Sequence, residues 1–177
     1  IVHSYYSHKV KKEKICNQCI NNKKIFKENI ISNYFDIGNF LEEEDKKKID
    51  FILKKNINKK NYKKFSISNL PIGKIVLHDI ILINRLSNTD TITKKYWTEY
   101  KNLLKVCLKV YFAANNFFKK NKIDIFISTN NKYSANRVFF EVSKKFIIKH
   151  YSHWGDDLNS YNLLSSYKLT QGIVPGP

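Results

Sequence analysis

The chain carries a cluster of side chains that can bind a polar ligand: Asn130, Asn131, Tyr133, Ser134 and Arg137. Their amides, hydroxyls and guanidinium group donate and accept hydrogen bonds. Groups of this kind bind sugar hydroxyls or anions when they lie at the start of a helix. The alternative is an ordinary polar loop in front of a capped helix with a surface arginine.

A second cluster follows further along the chain, where His153, Gly155 and Asp156 come shortly after His150. Histidine ordinarily titrates near neutral pH, so His153 is a candidate general base, and the carboxylate of Asp156 is another. Gly155 indicates a tight turn or a close approach of the backbone to a ligand. The alternative is an ordinary loop, because one histidine beside two acids is a common combination.

The cysteines give a weaker signal. Cys16 and Cys19 form a CxxC pair, and His3 and His8 lie upstream, which makes four groups of the type that zinc binds. A second CxxC is missing and the histidine spacing fits no standard signature, so no metal site is predicted, although a zinc knuckle stays an open alternative. Cys107 lies in a helical pattern and is predicted to be a small core residue. Three cysteines do not form a disulfide scaffold, and a reducing, cytoplasmic location is expected.

Hydrophobic periodicity predicts the elements that must position these clusters. Residues 42–55 have acids at the start and lysines at the end, which predicts a short helix. The apolar run at residues 74–83 fits either a strand or a buried helix. Apolar residues at spacings of three and four from Lys94 to about Lys120 predict a long helix, with Thr93 as its cap.

The pattern then changes to that of a strand, at Ile123–Ser128, followed by a polar loop and a helix capped by Ser134. A second strand is predicted at residues 147–151, and strand, helix and strand in this order form a βαβ unit with parallel strands. The carboxyl ends of parallel strands meet at one edge of the sheet, where ligands bind. Both clusters are expected there, and free N–H groups at the helix start would receive an anion or sugar hydroxyls. The expected fold class is therefore α/β, a Rossmann-like parallel sheet with flanking helices.

The expected organisation has three parts. Residues 1–60 are an N-terminal extension or the first part of a lobe, residues 61–160 form the Rossmann-like βαβ region, and residues 161–177 are an irregular tail or linker. The lysine- and asparagine-rich residues 56–64 mark the first boundary. Because the chain begins at Ile1 and has no methionine, it is expected to be part of a longer protein.

The composition is strongly basic, with a formal charge of +17 and a pI near 9.7. Arg85 and Arg137 are the only arginines, and arginine is the residue that matches phosphates and guanine edges bidentately. The lysines are interleaved with Asn and Ile, which indicates a compositional bias. Nucleic acid is therefore disfavoured as a partner, and a solvated surface is favoured. Such a surface also suits peripheral contact with the anionic inner face of a membrane, or polyanionic substrates. No apolar run is long enough to span a bilayer.

Several segments carry a resemblance to a known family. They are the turn at residues 70–73, the long helix with Trp97 and Tyr100, the strand at residues 122–127 and the loop into residues 133–138. From about Ile72 to Gly155 the chain resembles the N-terminal lobe of GT-B glycosyltransferases of bacterial surface-carbohydrate (capsule or lipopolysaccharide) biosynthesis.

The resemblance implies an enzyme that transfers a sugar from a nucleotide sugar to a glycan or lipid-linked acceptor. This chain would be the acceptor-side lobe, without a cofactor of its own, and the nucleotide sugar would bind through a missing C-terminal lobe, so that the fragment alone is inactive. The first cluster and Gly155 would line the acceptor side, and His153 or Asp156 would be the base. The alternative is a basic module that binds nucleic acid or anionic surfaces without enzymatic activity; a structural lobe is a third.

Overall fold

The computed structural model describes residues 35–129, 131–146, 148–153 and 173–175, and the isolated helical positions 17, 21 and 24. The α-helices of this part are α1 (Glu43–Phe51), α2 (Ile72–Asn84), α3 (Trp97–Lys120) and α4 (Ser134–Ser143). The strands are β1 (Ile125–Thr129), β2 (Lys149–His153) and β3 (Ile173–Pro175). Short 3-10 or π turns lie at Ile37–Phe40, Ile52–Asn56, Tyr62–Lys64 and Lys144–Phe146.

The expected Rossmann-like parallel sheet with flanking helices is wrong, because the described chain is mostly helical. Its sheet has the order β1–β2–β3, in which β1 and β2 are parallel and β3 is antiparallel to β2. The apolar run at residues 74–83 belongs to helix α2 and supplies no further parallel strand. A buried helix and a strand buried on both faces have the same apolar composition, so the sequence pattern left this element open.

Helix α3 is the centre of the core, and α1, α2 and α4 all pack against it. Its apolar residues recur at spacings of three and four, as predicted, and Leu104 and Leu108 are fully buried. Burial of each leucine contributes about 1.5–3 kcal/mol to folding. The helix begins at Trp97, later than predicted, and its N-cap is Tyr96 and not Thr93. Cys107 is buried in this core, as predicted.

Helix α1 forms where the charge pattern predicted it and continues into the π turn at Ile52–Asn56. Acids in its first turn and a lysine in its last suit the helix dipole. Asp45 is buried and accepts hydrogen bonds from the backbone N–H of Glu42 (3.3 Å) and from Nδ2 of Asn116 on α3 (2.7 Å). The side chain that closes the first turn of α1 therefore also attaches this helix to α3.

The turn before α2 has no room for a side chain at Gly73. A Cβ atom there would lie 2.3 Å from the backbone oxygen of Tyr62, which is itself the acceptor of the buried Tyr100 hydroxyl at 2.9 Å. The N–H of Gly73 donates to the carbonyl of Phe65 at 2.9 Å. Glycine is thus required for the chain before α2 to lie directly against the start of that helix.

Helix α4 covers one face of the sheet. Phe126 of β1 packs on Phe139 of α4, with ring centroids 5.4 Å apart, and Phe139 packs on Phe118 of α3. The neighbouring residues Ile125 and Ile127 point to the opposite face and are 54% and 47% exposed. The alternation follows from strand geometry, since successive side chains lie on opposite faces.

Candidate functional site at the carboxyl edge of the parallel strands

The two parallel strands end at the same edge of the sheet. Their register pairs Ile125 with Lys149 and continues to Thr129 opposite His153, so that both strands finish together. Helix α4 starts at Ser134, directly after the loop that leaves β1. The predicted parallel βαβ unit is therefore confirmed, and it brings the loop after β1, the start of α4 and the backbone of His153 to one edge.

Part of the predicted site falls outside the described residues. Asn130, Gly155 and Asp156 lie outside them, and for His153 the backbone position at the end of β2 is described but not the side chain. The binding role of Asn130 and Gly155 and the catalytic role of His153 and Asp156 stay predictions.

Asn131 is attached to the end of β1 by a side-chain contact. Its Oδ1 accepts a hydrogen bond from Oγ of Ser128 at 2.5 Å, and the side chain is only 6% exposed. Tyr133, by contrast, is 42% exposed at the same edge. Asn131 thus fixes the shape of the loop, whereas Tyr133 presents an aromatic ring and a hydroxyl to solvent.

The start of α4 is capped by a residue from another helix. Oδ2 of Asp79, on α2, accepts a hydrogen bond from the backbone N–H of Ser134 at 2.9 Å and a second, short one from the Ser134 hydroxyl. Both residues are buried. Ser134 is the first residue of the helix and not its cap, which is Tyr133 without a side-chain hydrogen bond. Asp79 therefore performs the capping that the sequence assigned to Ser134.

This contact changes the electrostatics expected at the edge. A helix N-terminus attracts anions because its first N–H groups have no partner within the helix and the helix dipole is positive there. At α4 that negative charge is supplied by the carboxylate of Asp79. The expected anion position is thus already taken by the protein, and Ser134 directs its donors inward to it.

Arg137 also has an acidic partner. Its Nη2 lies 2.5 Å from Oε1 of Glu141, one turn further along α4, and its side chain is 41% exposed. Nζ of Lys144 lies 3.4 Å from the other oxygen of Glu141. The guanidinium group is accessible, and it shares the single charge of Glu141 with Lys144.

His78, Asp79 and Ser134 are in contact but do not form a catalytic triad. In a triad the histidine lies between the hydroxyl and the carboxylate, where it removes the proton of the nucleophile. Here Asp79 lies between them: one oxygen is 3.2 Å from Nδ1 of His78, and the other accepts from Ser134. The arrangement lacks the base that would activate a serine.

The thiol of Cys107 adjoins the same buried region. Burial and the negative charge of Asp79 raise its pKa, an effect that a hydrogen bond with Ser134 partly opposes. Because the thiolate is the reactive form, Cys107 is not a nucleophile at neutral pH.

His150 lies inside the unit and not at its edge. Nε2 is 2.7 Å from Oγ of Ser143, and the ring packs edge-on against Phe126 and Phe140 at 5.9 and 5.4 Å. Burial, helped by the charge of Lys144, lowers the pKa of His150. His150 therefore helps to join α4 to β2. It is the second residue of β2, near the opposite end of the strand from the carboxyl edge.

Sequence reasoning missed Asp79. The available signal was its isolation, since it is the only acid in the apolar sequence of α2. A single carboxylate among aliphatic residues is expected to have a specific partner, because burial of an unpaired charge is costly. The identity of that partner, Ser134, depends on tertiary packing that a single sequence does not reveal.

Comparison with known proteins gives no match: no family model, no curated protein and no solved structure matches this chain. Among residues 35–129, 131–146 and 148–153, no three His, Cys, Asp or Glu side chains are grouped so as to hold a metal ion. The CxxC pair Cys16 and Cys19, with His3 and His8, lies outside these ranges. No helix in the described part has the length and apolar character needed to cross a bilayer.

Proposed function

We propose that the chain is the acceptor-side part of a glycosyltransferase, in which the carboxyl edge of β1 and β2 binds the hydroxyl groups of a glycan or lipid-linked acceptor. The observation that carries the proposal is the buried carboxylate of Asp79 at the start of α4. With an anion already at that position, the edge favours an uncharged, hydroxyl-rich ligand over a phosphate.

The exposed groups of the edge agree with such a ligand. Tyr133 offers a flat apolar face for the C–H groups of a sugar ring and a hydroxyl for its polar groups. Arg137 offers N–H donors that can bind a sugar hydroxyl while the guanidinium group stays paired with Glu141. The diphosphate of a nucleotide sugar would be held by other parts of the complete enzyme, in line with the resemblance.

The proposed general base in the chemical step is His153, whose backbone lies at the edge, or Asp156. The base removes the proton of the acceptor hydroxyl while its oxygen forms a bond to the anomeric carbon of the donor sugar. The bond from that carbon to the phosphate oxygen breaks, and its electron pair leaves with the nucleoside diphosphate. The proposed setting is the cytoplasm, with peripheral contact to the inner membrane face.

A transfer assay on the protein encoded by the complete reading frame tests the proposal. Release of nucleoside diphosphate from a panel of nucleotide sugars is measured with neutral oligosaccharide and lipid-linked acceptors. His153→Asn should reduce transfer at least about 100-fold, since loss of a general base typically costs that much. Tyr133→Ala should reduce it by up to about tenfold, because an aromatic contact contributes up to about 1.5 kcal/mol. Leu82→Ser, which alters a half-exposed residue on α2, is the control and should retain transfer.

Unchanged transfer in both Tyr133→Ala and His153→Asn would remove the edge from the mechanism. The melting temperatures of the variants must match that of the parent, so that a lost activity is not a lost fold.

A second candidate is a binding module without enzymatic activity, and the observation in its favour is the net charge of +17. If it is right, the chain binds single-stranded or duplex nucleic acid at low salt, with an affinity that falls steeply as salt rises. No binding at low salt would dismiss the nucleic-acid form of this candidate.

A further inference from the structure

A shallow groove lies between α1 and α3, on a different part of the molecule from the carboxyl edge. It has a volume of about 460 Å³ and is lined by Lys47, Lys48, Phe51, Ile52 and Phe112; these five residues are called the basic groove below. Phe51 is 59% exposed, more than any other large hydrophobic side chain in the described residues. The groove is thus open to solvent and has an aromatic ring on its wall that the fold does not bury.

The charge around the groove is concentrated and mostly unbalanced. Between positions 46 and 64 the sequence has nine lysines and a single acid, Asp50, which is paired with Lys105 of α3 at 3.1 Å. Lys48 has only a distant partner, Glu44, at 3.9 Å. Lys47, which lines the groove, and Lys54 and Lys55, which follow α1 in the sequence, have no carboxylate partner among the described residues.

We infer that the basic groove is a docking surface for an anionic lipid bilayer. Clustered lysines repel one another, and an anionic surface removes that cost while attracting each of them. The ring of Phe51 is placed among these lysines, where it can enter the interface between headgroups and acyl chains. Compositional bias accounts for many lysines, but it does not account for an exposed aromatic ring at the centre of them.

The shape of the groove favours a surface over a single bound molecule. An acyl chain or a small ligand is normally enclosed by its pocket, whereas this groove leaves Phe51 more than half exposed. The charges are lysines, which attract a diffuse anionic surface as point charges and lack the bidentate geometry that favours nucleic-acid phosphates and bases. The inference uses no residue of the carboxyl edge and does not depend on the proposed transferase activity.

Co-sedimentation with vesicles tests the docking surface. The complete chain should bind phosphatidylcholine vesicles that contain phosphatidylglycerol, should not bind vesicles of phosphatidylcholine alone, and should dissociate as salt is raised. The double variant Lys47→Glu/Lys48→Glu, which changes both lysines of the groove, should bind about 20-fold more weakly or worse, because each lysine near an anionic surface contributes about fivefold. Phe51→Ser should weaken binding about tenfold.

Matched controls separate this surface from the overall charge. Lys74→Glu/Lys149→Glu makes the same change of charge on α2 and β2, and Leu82→Ser removes an exposed hydrophobic side chain elsewhere; both should bind as the parent does. Equal losses in the two double variants would overturn the inference, since binding would then follow net charge alone. Full binding by Phe51→Ser, or tighter binding to single-stranded DNA than to the anionic vesicles, would also overturn it.

Discussion

Charges at the carboxyl edge have partners, whereas lysines in the basic groove lie side by side at the surface. At the edge, the carboxylate of Asp79 accepts from Ser134, and the guanidinium of Arg137 lies against Glu141. In the groove, Lys47 has no described carboxylate partner, and Lys48 has only Glu44 at 3.9 Å. The charged side chains of the first region are held in specific contacts, and the second region is open and positive.

The difference indicates what each region can bind. A site whose charges are already paired gains little from a charged ligand, because each new charge would compete with an existing contact. A surface of unpaired like charges gains from a polyanion, since binding relieves repulsion. The positive net charge of the chain therefore bears on what the groove can bind and says little about what the edge can bind.

The largest expected effect comes from breaking the internal pair at the edge. Asp79→Ala leaves the buried N–H and hydroxyl of Ser134 without an acceptor and removes the cap of α4. The free energy of unfolding should fall by about 3 kcal/mol, measured by urea denaturation. Asp50→Ala, the same change at an exposed pair, should cost no more than about 0.5 kcal/mol.

Equal losses in the free energy of unfolding of Asp79→Ala and Asp50→Ala would contradict the difference drawn between the edge and the surface. They would mean that the buried contact between α2 and α4 contributes no more than a surface pair. Asp79→Asn sharpens the result: it retains an acceptor oxygen but not the charge, so its loss should lie between those of the other two variants.

An intermediate effect is expected from His150 of the β1–α4–β2 unit, where burial lowers its pKa. Its pKa is lowered on folding, so the unfolded chain binds more protons just below the ordinary value of 6.5. Its contribution to stability is complete above pH 6.5 and is lost as the pH falls through the folded pKa. Denaturation midpoints measured from pH 7 downward should show this loss, and His150→Phe should remove it.

A pH dependence that is unchanged in His150→Phe would assign the titration to other groups. Lys144→Gln offers a graded check, because the charge of Lys144 contributes to the lowered pKa. This variant should show a smaller loss of stability at low pH than the parent does.

The smallest effect on stability is expected at Arg137. Arg137→Met removes a partly exposed ion pair within one helix, and Glu141 keeps Lys144 at 3.4 Å. The free energy of unfolding should change by no more than about 0.5 kcal/mol. The same variant should weaken acceptor binding severalfold by calorimetry, and a large loss of stability with unchanged binding would reverse its assigned role.

The sequence predicted local elements better than their assembly. The long amphipathic pattern before Lys120 and the strand–helix–strand order after it are properties of neighbouring residues, and both appear in the structure. The class of the fold depended on the apolar run at residues 74–83, where composition alone does not separate a helix from a strand. Because this run forms helix α2, the expected Rossmann-like parallel sheet with flanking helices is wrong.

The candidate site divides in the same way. The edge was predictable because parallel strands place their carboxyl ends together, and the register of Thr129 with His153 bears this out. The role of Ser134 was not predictable, because its partner Asp79 lies on another helix and a single sequence does not reveal that contact. The exposure of individual side chains was not predictable either. Asn131 and Tyr133 are both polar loop residues, but Asn131 is buried and Tyr133 is exposed.

An NMR titration of the ¹⁵N-labelled chain shows whether the carboxyl edge binds hydroxyl-rich ligands and not anions, as proposed. The chain is titrated with a panel of neutral disaccharides and, separately, with inorganic phosphate. At least one disaccharide should shift the amide resonances of Ser128, Asn131 and Tyr133, and phosphate should leave the Ser134 amide unchanged. A shift of the Ser134 amide by phosphate, with no response of the edge to any disaccharide, would contradict the proposal.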